Sequence, residues 1–503
     1  MTTPPPPAIV QPSPAPPPRQ PERIVPRAPW FRVLLATEMA ERFGFFGLQA
    51  TLVLYLAASA QDGGLGLRTV DAAALTGTWI SLTYMLGGPG GWLADRVLGI
   101  RPTMMLGGLV SMAGHFALAV PAPAASATGL VLVSVGAGLY RPNHQAMANL
   151  LFGDSARRES GISLLYVGVQ FSALIAPLVV GFVGDRVNWH AGFLCGGVVM
   201  LAGLVQLALA RGTFLGVGDR PGRPLGPAGR RRLRRYGVLL GAALTALTGA
   251  IVAVMPPVGI VGLLGMCTLV APAVAFVLLY RNRRLRPVDR RRLSAFGWVI
   301  LAWTLFFTMI AQGGSVMLLF AQDSTDRDIA GFEVPAGWFL SVSPLFVLIM
   351  APVFAWLLPR LGEGVRVVPR KFAMALLLCG GSFLVMAVAA WLGAGGGRVS
   401  PLWLVAAYLL LSCSEVVVIA VGTAAASDVL PRAFIAQTIG VLGLFAAFGG
   451  GVGSQIVWLA DAVPAAAYYL GYGLVVCGVG VLIALIRRRI VRGLTAADAE
   501  PAG

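Results

Sequence analysis

Three charged residues lie inside the first apolar segment of the chain, in the stretch Glu38-Met39-Ala40-Glu41-Arg42-Phe43-Gly44-Phe45-Phe46-Gly47. Helical spacings of three and four residues place Glu38, Glu41 and Arg42 on one face of a helix. A charge at the depth of a lipid bilayer costs from about 3 to over 10 kcal/mol, so it normally faces water or a partner. The stretch therefore predicts a functional site within a membrane helix. The alternative is a buried ion pair that only holds helices together.

The composition is that of a membrane protein. The 503 residues are 57% hydrophobic and only 12% charged, whereas soluble domains carry about 25% charged residues. Apolar runs of about twenty residues, the length that spans a bilayer as a helix, recur along the chain. We predict an all-α membrane protein with fourteen transmembrane helices. The predicted spans are 31–58, 70–94, 102–121, 127–150, 160–184, 191–210, 236–254, 258–280, 294–320, 336–358, 371–393, 402–426, 434–458 and 464–486.

The net charge of +17 is distributed unevenly between the loops. Arginine clusters flank alternate spans, while the loops between them, such as 121–127 and 462–464, carry almost no basic residues. Cytoplasmic loops of membrane proteins are enriched in Lys and Arg, so the pattern places both termini in the cytoplasm. The basic excess therefore reflects topology, and no basic and aromatic module predicts binding to nucleic acid.

The spans fall into two groups of six, separated by an inserted pair. Arg-rich linkers set off a two-helix hairpin that has no charge at membrane depth, so we expect the hairpin not to line a transport path. Two repeated bundles around a central site are the layout of a major-facilitator fold. The predicted regions are a disordered Pro-rich cytoplasmic tail (1–29), a six-helix bundle (30–211), linkers with the hairpin near 236–280 (212–292), a second six-helix bundle (293–489) and a cytoplasmic tail (490–503).

Other polar residues also lie at membrane depth. Arg141 precedes Pro142 in the fourth span, and Glu415 lies in the twelfth, the matching helix of the second group, so we expect the two to face each other across a central cavity. His115 and His144 are interpreted as core residues, since a single His on an apolar helix is more often structural than functional. The five cysteines lie in apolar segments without the spacing of metal ligands, which predicts no cofactor, metal or disulfide.

The chain resembles the proton-dependent oligopeptide transporters, a branch of the major facilitators, over nearly all of residues 30–490. Five stretches carry the resemblance. They are Glu38 to Gly47, the loop Gly90 to Gly99, Arg141-Pro142-Asn143, Gln312-Gly313-Gly314-Ser315 with Asp326-Arg327, and Trp338-Phe339 with Pro344-Leu345-Phe346. Bacterial members of the family also carry an extra hairpin between the halves.

The resemblance implies symport of protons with di- and tripeptides or peptide-like compounds across a bacterial inner membrane, by a multi-pass protein that is a monomer in the lipid bilayer. Arg42 and Arg141 would meet the peptide carboxylate, and Glu415 its amino group. Glu38, Glu41 and Arg42 would take part in proton coupling. The implied substrate pocket also includes Phe45, Phe46, Tyr84, Asn143, Tyr166, Gln170, Gln312 and Ser343, and the implied conformational loop contains Asp95 and Arg96.

The sequence departs from the family pattern within this pocket. The substituted positions are Phe45 and Phe46 for two Tyr, Arg141 for Lys, Ala311 for an acid, Gln170 and Ser343 for Asn, and Leu442 for Trp. Fewer hydrogen-bond donors and acceptors favour a cargo that is larger or more apolar than an ordinary dipeptide. Because Arg does not release its proton, any proton coupling must involve a carboxyl group. With no acid at position 311, we expect Glu41 to pair with Arg141.

Three other functions stay open from the sequence. The first is a related carrier with altered coupling that moves or exports a different peptide-derived compound. The second is an intramembrane enzyme, but the sequence has no His-Glu-x-x-His motif, no Gly-x-Ser-x-Gly elbow and no phosphate-binding loop. The third is a receptor that keeps the fold without transporting. The cluster of Glu38, Glu41, Arg42 and Glu415 favours a transporter over all three.

Overall fold

The computed structural model describes residues 28–153, 158–229, 231–233, 235–236, 257–431 and 434–496. Residues 1–27 of the predicted N-terminal tail, residues 497–503 of the predicted C-terminal tail, and all but Tyr236 of the first helix of the predicted hairpin at 236–254 lie outside these residues. The first seven helices are α1 (Pro29–Ala57), α2 (Thr69–Met85), α3 (Gly87–Leu93), α4 (Ile100–Leu118), α5 (Pro123–Phe152), α6 (Arg158–Arg186) and α7 (Trp189–Leu209).

The remaining helices follow the linker. They are α8 (Pro257–Tyr280), α9 (Pro287–Gly313), α10 (Val316–Asp323), α11 (Val342–Arg360), α12 (Val368–Leu392), α13 (Leu402–Asp428), α14 (Ile435–Ile456), α15 (Leu459–Ala462) and α16 (Ala465–Leu494). Nine helical segments in the described ranges are long and apolar enough to cross a membrane. The predicted class, an all-α multi-pass membrane protein, is confirmed. A two-stranded antiparallel hairpin, β1 (Asp328–Ile329) with β2 (Phe332–Glu333), was not predicted.

Two predicted spans are interrupted. The second span divides between α2 and α3, where the sequence Gly87-Gly88-Pro89-Gly90-Gly91 supplies four glycines and a proline, the residues with the lowest helix propensity. The ninth span divides between α9 and α10 at Gly314 and Ser315. The last helix, α16, continues to Leu494, past the predicted end of the second bundle at residue 489.

The closest helix pair, α4 with α5, packs through glycines at seven-residue spacing. Gly107 and Gly114 of α4 face Gly136 and Gly129 of α5. A Cβ atom at Gly107 would lie 2.8 Å from the carbonyl oxygen of Gly136, and one at Gly129 would lie 2.7 Å from that of Gly114. Small residues let helix backbones approach closely. The resulting van der Waals packing holds the helices together in lipid, where no hydrophobic driving force acts between them. The glycines therefore join α4 closely to α5, the helix that carries Arg141.

The two groups of helices meet through two related pairs. Helix α2 packs against α14, and α6 packs against α11 and the 3₁₀ turn that precedes it, Ala336–Ser341. Each pair joins the second span of one group to the fifth span of the other. Because the two pairs are equivalent, the interface around the central space is pseudo-symmetric, as the major-facilitator layout predicts.

Helix α8, the second helix of the predicted hairpin, lies against both α2 and α14. Its Thr268 is fully buried, and a Cβ atom at Gly451 of α14 would clash with the Thr268 hydroxyl oxygen. Helix α8 is therefore packed along the interface between the two groups rather than apart from them.

Candidate functional site

The charged cluster of α1 is buried and internally paired. The Arg42 Nε atom donates a hydrogen bond of 2.9 Å to Glu38 Oε1, one helical turn away, and lies 3.6 Å from Glu41 Oε2. Glu38 and Glu41 are only 5% and 3% exposed. The spacing in the sequence predicted that these groups share one face, and the structure brings them together.

Arg141 of α5 completes the cluster from a second helix. Its Nε atom donates a 3.0 Å hydrogen bond to Glu41 Oε1, so the predicted pairing of these residues is confirmed. Its guanidinium carbon lies 4.1 Å from the centre of the Phe45 ring, a cation–π contact. Within the described part of the chain, its two terminal nitrogens have no hydrogen-bond partner. They retain donors in the fork geometry that suits a carboxylate.

His144 is buried, as expected, but it also lies beside the charged cluster. Its Nδ1 atom lies 3.1 Å from Glu38 Oε2, and its Nε2 atom lies 3.1 Å from the carbonyl oxygen of Leu34. His144 follows Arg141 by three residues, so helical spacing could have placed it on the same face. His115, in contrast, is packed between Gly44 and Gly196, as expected of a core residue.

Glu415 lies on the opposite wall, on α13, and is half-buried. Gln170 of α6 donates through Nε2 to Glu415 Oε1 at 3.4 Å and to the Tyr166 hydroxyl at 2.7 Å. The carboxylate therefore contacts α6 of the first group. Arg141 and Glu415 border different parts of the central space and are not directly paired.

The central space consists of two connected cavities of about 930 Å³ and 420 Å³. Arg42, Tyr84 and Tyr166 line both. The wider cavity contains Glu38, Arg141 and His144 in its wall. The narrower one is bordered by Glu415, Gln170, Ser343 and a group of aromatic side chains, namely Phe45, Phe46, Trp303, Phe306 and Phe307.

Two predicted substrate residues do not line either cavity, and their roles are corrected. Asn143 donates through Nδ2 to the carbonyl oxygens of Gly90 at 3.2 Å and Leu139 at 2.7 Å, so it joins α5 to α3. Gln312 is fully buried, donates to the carbonyl oxygen of Gly453 at 2.9 Å and accepts from Tyr468 at 3.0 Å. Their polar groups are already satisfied by neighbouring helices.

The sequence also missed residues that do border the central space. Gln49 and Ser81 lie in the wall of the narrower cavity, and Ala275, Leu278 and Leu279 of α8 lie in that of the wider one. The last three correct the expectation that the hairpin stays away from the central space. Their apolar side chains offered no signal, because only tertiary packing brings α8 to the cavity. Leu442, at the position of the family Trp, is buried away from both cavities.

One end of the central space is closed by contacts between the two groups. The Trp338 indole donates to the carbonyl oxygen of Leu178 at 2.9 Å, and Ser341 donates to that of Leu174 at 2.7 Å. Thr78 donates to the Ser454 hydroxyl at 3.2 Å. The wide cavity lies towards the opposite end, where its wall includes Asn149 and Asn282 near the ends of α5 and α8.

The loop after α3 is held by the linker that follows α7. The backbone carbonyl oxygens of Asp95 and Arg96 accept hydrogen bonds from the backbone of Arg223 at 2.9 Å and Leu225 at 3.1 Å. Arg101, just beyond the loop, forms an ion pair with Asp219 of the linker. The linker is therefore docked on the predicted conformational loop. A conformational role for Asp95 and Arg96 stays a prediction.

Comparisons with known proteins agree on one family. The sequence profile of the POT family matches residues 101–226 and 264–472. An uncharacterised transporter, YclF of Bacillus subtilis, is 34% identical over 471 residues, which cover 92% of this chain and 94% of that protein. A di-/tripeptide transporter of Lactococcus lactis is 29% identical, with 91% and 95% covered. A crystal structure of a peptide transporter POT in complex with sulfate superposes with a TM-score of 0.87 at 34% identity, covering 93% of this chain and 96% of that one.

Proposed function

The chain belongs to the POT family, and from this premise we propose that it carries di- and tripeptides or peptide-like compounds by proton symport. A symporter of this kind binds cargo and proton in one central site and exposes the site to each side of the membrane in turn. The relatives from Bacillus subtilis and Lactococcus lactis are transporters rather than enzymes. A carrier of zwitterionic peptides requires a site for each charged end of its cargo.

The distribution of charge around the central space carries the proposal. The guanidinium of Arg42, which lines both cavities, and that of Arg141, which lines the wider one, supply positive charge for a carboxylate at one end. Glu415 offers a carboxylate for an ammonium group at the other. A zwitterionic peptide matches both ends, and charge-assisted hydrogen bonds of this type are roughly twice as strong as neutral ones.

The lining of the narrower cavity favours peptides with large apolar side chains. Four phenylalanines and a tryptophan are among its lining residues, and Phe45 and Phe46 replace two hydroxyl-bearing residues of the family pattern. Aromatic rings bury large apolar surfaces and stack on one another with specific geometry. We therefore expect alanyl-phenylalanine to bind more tightly than dialanine.

The proposed orientation places both termini and the linker after α7 in the cytoplasm of a bacterium, with the protein a monomer in the inner membrane. Arginine concentrates at that linker, and cytoplasmic segments are the ones enriched in basic residues. In this orientation the closed end, at Trp338 and Ser341, faces outwards, and the wide cavity opens inwards.

Cysteines introduced at Gly212 and Ala124 should be labelled from opposite sides of the membrane. Both positions are exposed, Gly212 in the linker and Ala124 in the first turn of α5. In a background without the five native cysteines, an impermeant maleimide applied to intact cells should modify only the cysteine at 124. Labelling at 212 should require permeabilised cells. Labelling of both from outside would contradict the proposed topology.

The proposed function is tested in proteoliposomes with an imposed pH gradient. An interior that is more alkaline than the bath should drive accumulation of labelled alanyl-phenylalanine above its external concentration, and a protonophore should abolish it. A panel of peptides is first screened by thermal shift, because a ligand that binds only the folded protein raises its melting temperature. Binding and exchange without accumulation would favour the alternative, a related carrier with altered coupling. No binding and no uptake by any peptide would contradict the proposal.

Replacing Glu415 by Gln should weaken binding of peptides with a free amino group by about 10- to 100-fold, corresponding to about 1.5–3 kcal/mol for a hydrogen bond to a charged group. The substitution keeps the shape of the side chain and its contact with Gln170. N-acetylated peptides provide the control, because they have no ammonium group and their binding should change little. Equal losses for free and acetylated peptides would show that Glu415 does not meet the amino end.

A further inference from the structure

Eleven arginines lie in two short stretches of the chain, 281–292 and 487–492. The first stretch joins α8 to the first turns of α9, and the second lies near the end of α16. Asp289 is the single acid in the two stretches, so together they carry a net charge of +10. Like charges at this density repel one another, which favours the binding of an external anion.

The fold brings the two stretches together at one corner of the protein. The Arg292 Nε atom donates a 2.8 Å hydrogen bond to the carbonyl oxygen of Ala496, just beyond α16. A Cβ atom at Gly493 of α16 would clash with the Ala295 side chain of α9, so the two helices are in direct contact at this end. We name the eleven residues the arginine corner. They are Arg281, Arg283, Arg284, Arg286, Arg290, Arg291, Arg292, Arg487, Arg488, Arg489 and Arg492.

Few arginines of the corner are engaged within the protein. Arg286 pairs with Asp289 at 3.2 Å. Arg290 and Arg292 donate to backbone carbonyl oxygens, and Arg492 donates to the backbone of its own helix. Within the described ranges, the remaining side chains of the corner are exposed and form no ion pair with a carboxylate. They are Arg281, Arg283, Arg284, Arg291, Arg487, Arg488 and Arg489. Their guanidinium groups therefore retain donors for a ligand.

Exposed apolar side chains lie directly beside the arginines. On α16, Leu485 is 76% exposed and precedes Arg488 and Arg489 by three and four residues. On α8, Val277 is 47% exposed and precedes Arg281 by four residues. Helical spacings of three and four place such residues on one face. The exposed face of each helix therefore changes from apolar to basic within about one turn, as at the boundary between acyl chains and headgroups.

We propose that the arginine corner binds the headgroups of anionic phospholipids. This inference goes beyond the proposed function and does not depend on the cargo. The planar fork of a guanidinium group matches the oxygens of a phosphate and donates two parallel hydrogen bonds to it. The acyl chains of the same lipid would cover the exposed apolar side chains of α8 and α16, which free phosphate cannot do. A phospholipid is therefore the expected ligand.

The headgroup must carry a net negative charge to offset the charge of the corner. A zwitterionic phospholipid brings an ammonium group together with its phosphate, so it adds no net charge. Phosphatidylglycerol has no ammonium group, and basic clusters at a membrane surface attract such lipids. The Ser294 hydroxyl of α9 donates to the Tyr280 hydroxyl of α8 at 3.4 Å, so the ends of α8, α9 and α16 all meet at the corner. A bound anionic headgroup should hold these ends together and stabilise the folded protein.

The first test uses the unmodified protein in a neutral detergent. Phosphatidylglycerol, phosphatidylethanolamine and inorganic phosphate are added separately, and the melting temperature is measured, because a ligand that binds only the folded protein raises it. Phosphatidylglycerol should raise the melting temperature most, and inorganic phosphate at the same concentration should have little effect. An equal rise with phosphatidylethanolamine would overturn the proposal. An equal rise with phosphate would also overturn it, because the corner would then be a site for free anions.

The second test locates the bound lipid by comparing two variants of equal net charge. One variant removes four exposed arginines of the corner, and the control removes four exposed arginines of the linker after α7. The corner variant is R283Q/R284Q/R488Q/R489Q, and the control is R220Q/R223Q/R231Q/R232Q. Native mass spectrometry measures the dissociation constant of phosphatidylglycerol for each.

The corner variant should bind phosphatidylglycerol about tenfold more weakly or worse, since each basic residue near the lipid surface adds to the attraction. The control should bind it nearly as well as the unmodified protein. Equal losses in the two variants would show that only net charge matters, and unchanged binding by the corner variant would place the lipid elsewhere; either result contradicts the proposal. The milder variant R488Q/R489Q provides the same comparison, against R231Q/R232Q, if the larger change prevents folding.

Discussion

Replacing Glu41 by Gln is expected to destabilise the protein by about 3–5 kcal/mol and to abolish proton-driven uptake. The Glu41 side chain is 2% exposed and accepts the 3.0 Å hydrogen bond from Arg141. Its loss leaves a guanidinium buried beside the Phe45 ring, and removing one partner of a buried ion pair leaves an uncompensated charge. The measurement is the change in the free energy of unfolding, with the melting temperature and the yield of folded protein as supporting readouts.

The matched control is Asp461→Asn. Asp461 also pairs with an arginine, Arg68, at 3.8 Å, but the side chains of both partners are exposed, 56% and 64%. Exposed pairs contribute about 0–1 kcal/mol because water and salt screen them. Equal, small losses for the two variants would contradict the buried pairing of Glu41 with Arg141.

A second substitution tests where the absent acid of the family would act. Ala311 lines the narrower cavity together with Arg42 and Phe45, and Arg141 covers the Phe45 ring. In the Glu41→Gln background, Ala311→Glu should recover part of the lost stability by supplying another carboxylate to the cluster. A double-mutant cycle measures the interaction between the two changes. Simple additivity would show that position 311 does not reach the charged cluster.

The sequence predicted those parts of the site in which a charge has few possible partners. Glu38 and Arg42 follow from helical spacing alone. Because position 311 is alanine where the family has an acid, Glu41 is the expected partner for Arg141. In each case a charge at membrane depth must have a partner or face water, and the chain supplies few candidates. The structure places each pair at hydrogen-bond distance.

Neutral polar residues gave no such constraint. Asn143 and Gln312 match positions in family motifs, yet their amides bind backbone carbonyl oxygens of adjacent helices. An amide in lipid needs a partner, but the sequence does not distinguish a peptide cargo from a neighbouring helix as that partner. The proximity of His144 to Glu38 depends likewise on the packing of α5 against α1. The position of α8 beside the cavity depends entirely on packing between helices.

Arg42 should be the residue whose loss damages cargo binding most. It contacts Glu38 and Glu41 and borders both cavities. Replacing it with Gln removes the positive charge at the centre of the cluster. Truncating one member of a buried, hydrogen-bonded charge pair at a binding site costs about 2–5 kcal/mol, which corresponds to a loss of affinity of about 30- to several-thousand-fold. The dissociation constant of alanyl-phenylalanine measures the effect.

Two comparisons separate a role in binding from a role in folding. Arg42→Lys retains the charge but presents a compact ammonium instead of a planar fork, so it should fold and recover only part of the affinity. Arg32→Lys is the matched control, because Arg32 is exposed on the same helix and should tolerate the change. A peptide with an amidated C-terminus lacks the carboxylate, so its weaker binding should be nearly the same in Arg42→Lys as in the unmodified protein. If acid and amide forms lose affinity equally, Arg42 supports the cluster without meeting the cargo, and the carboxylate must be bound by Arg141 alone.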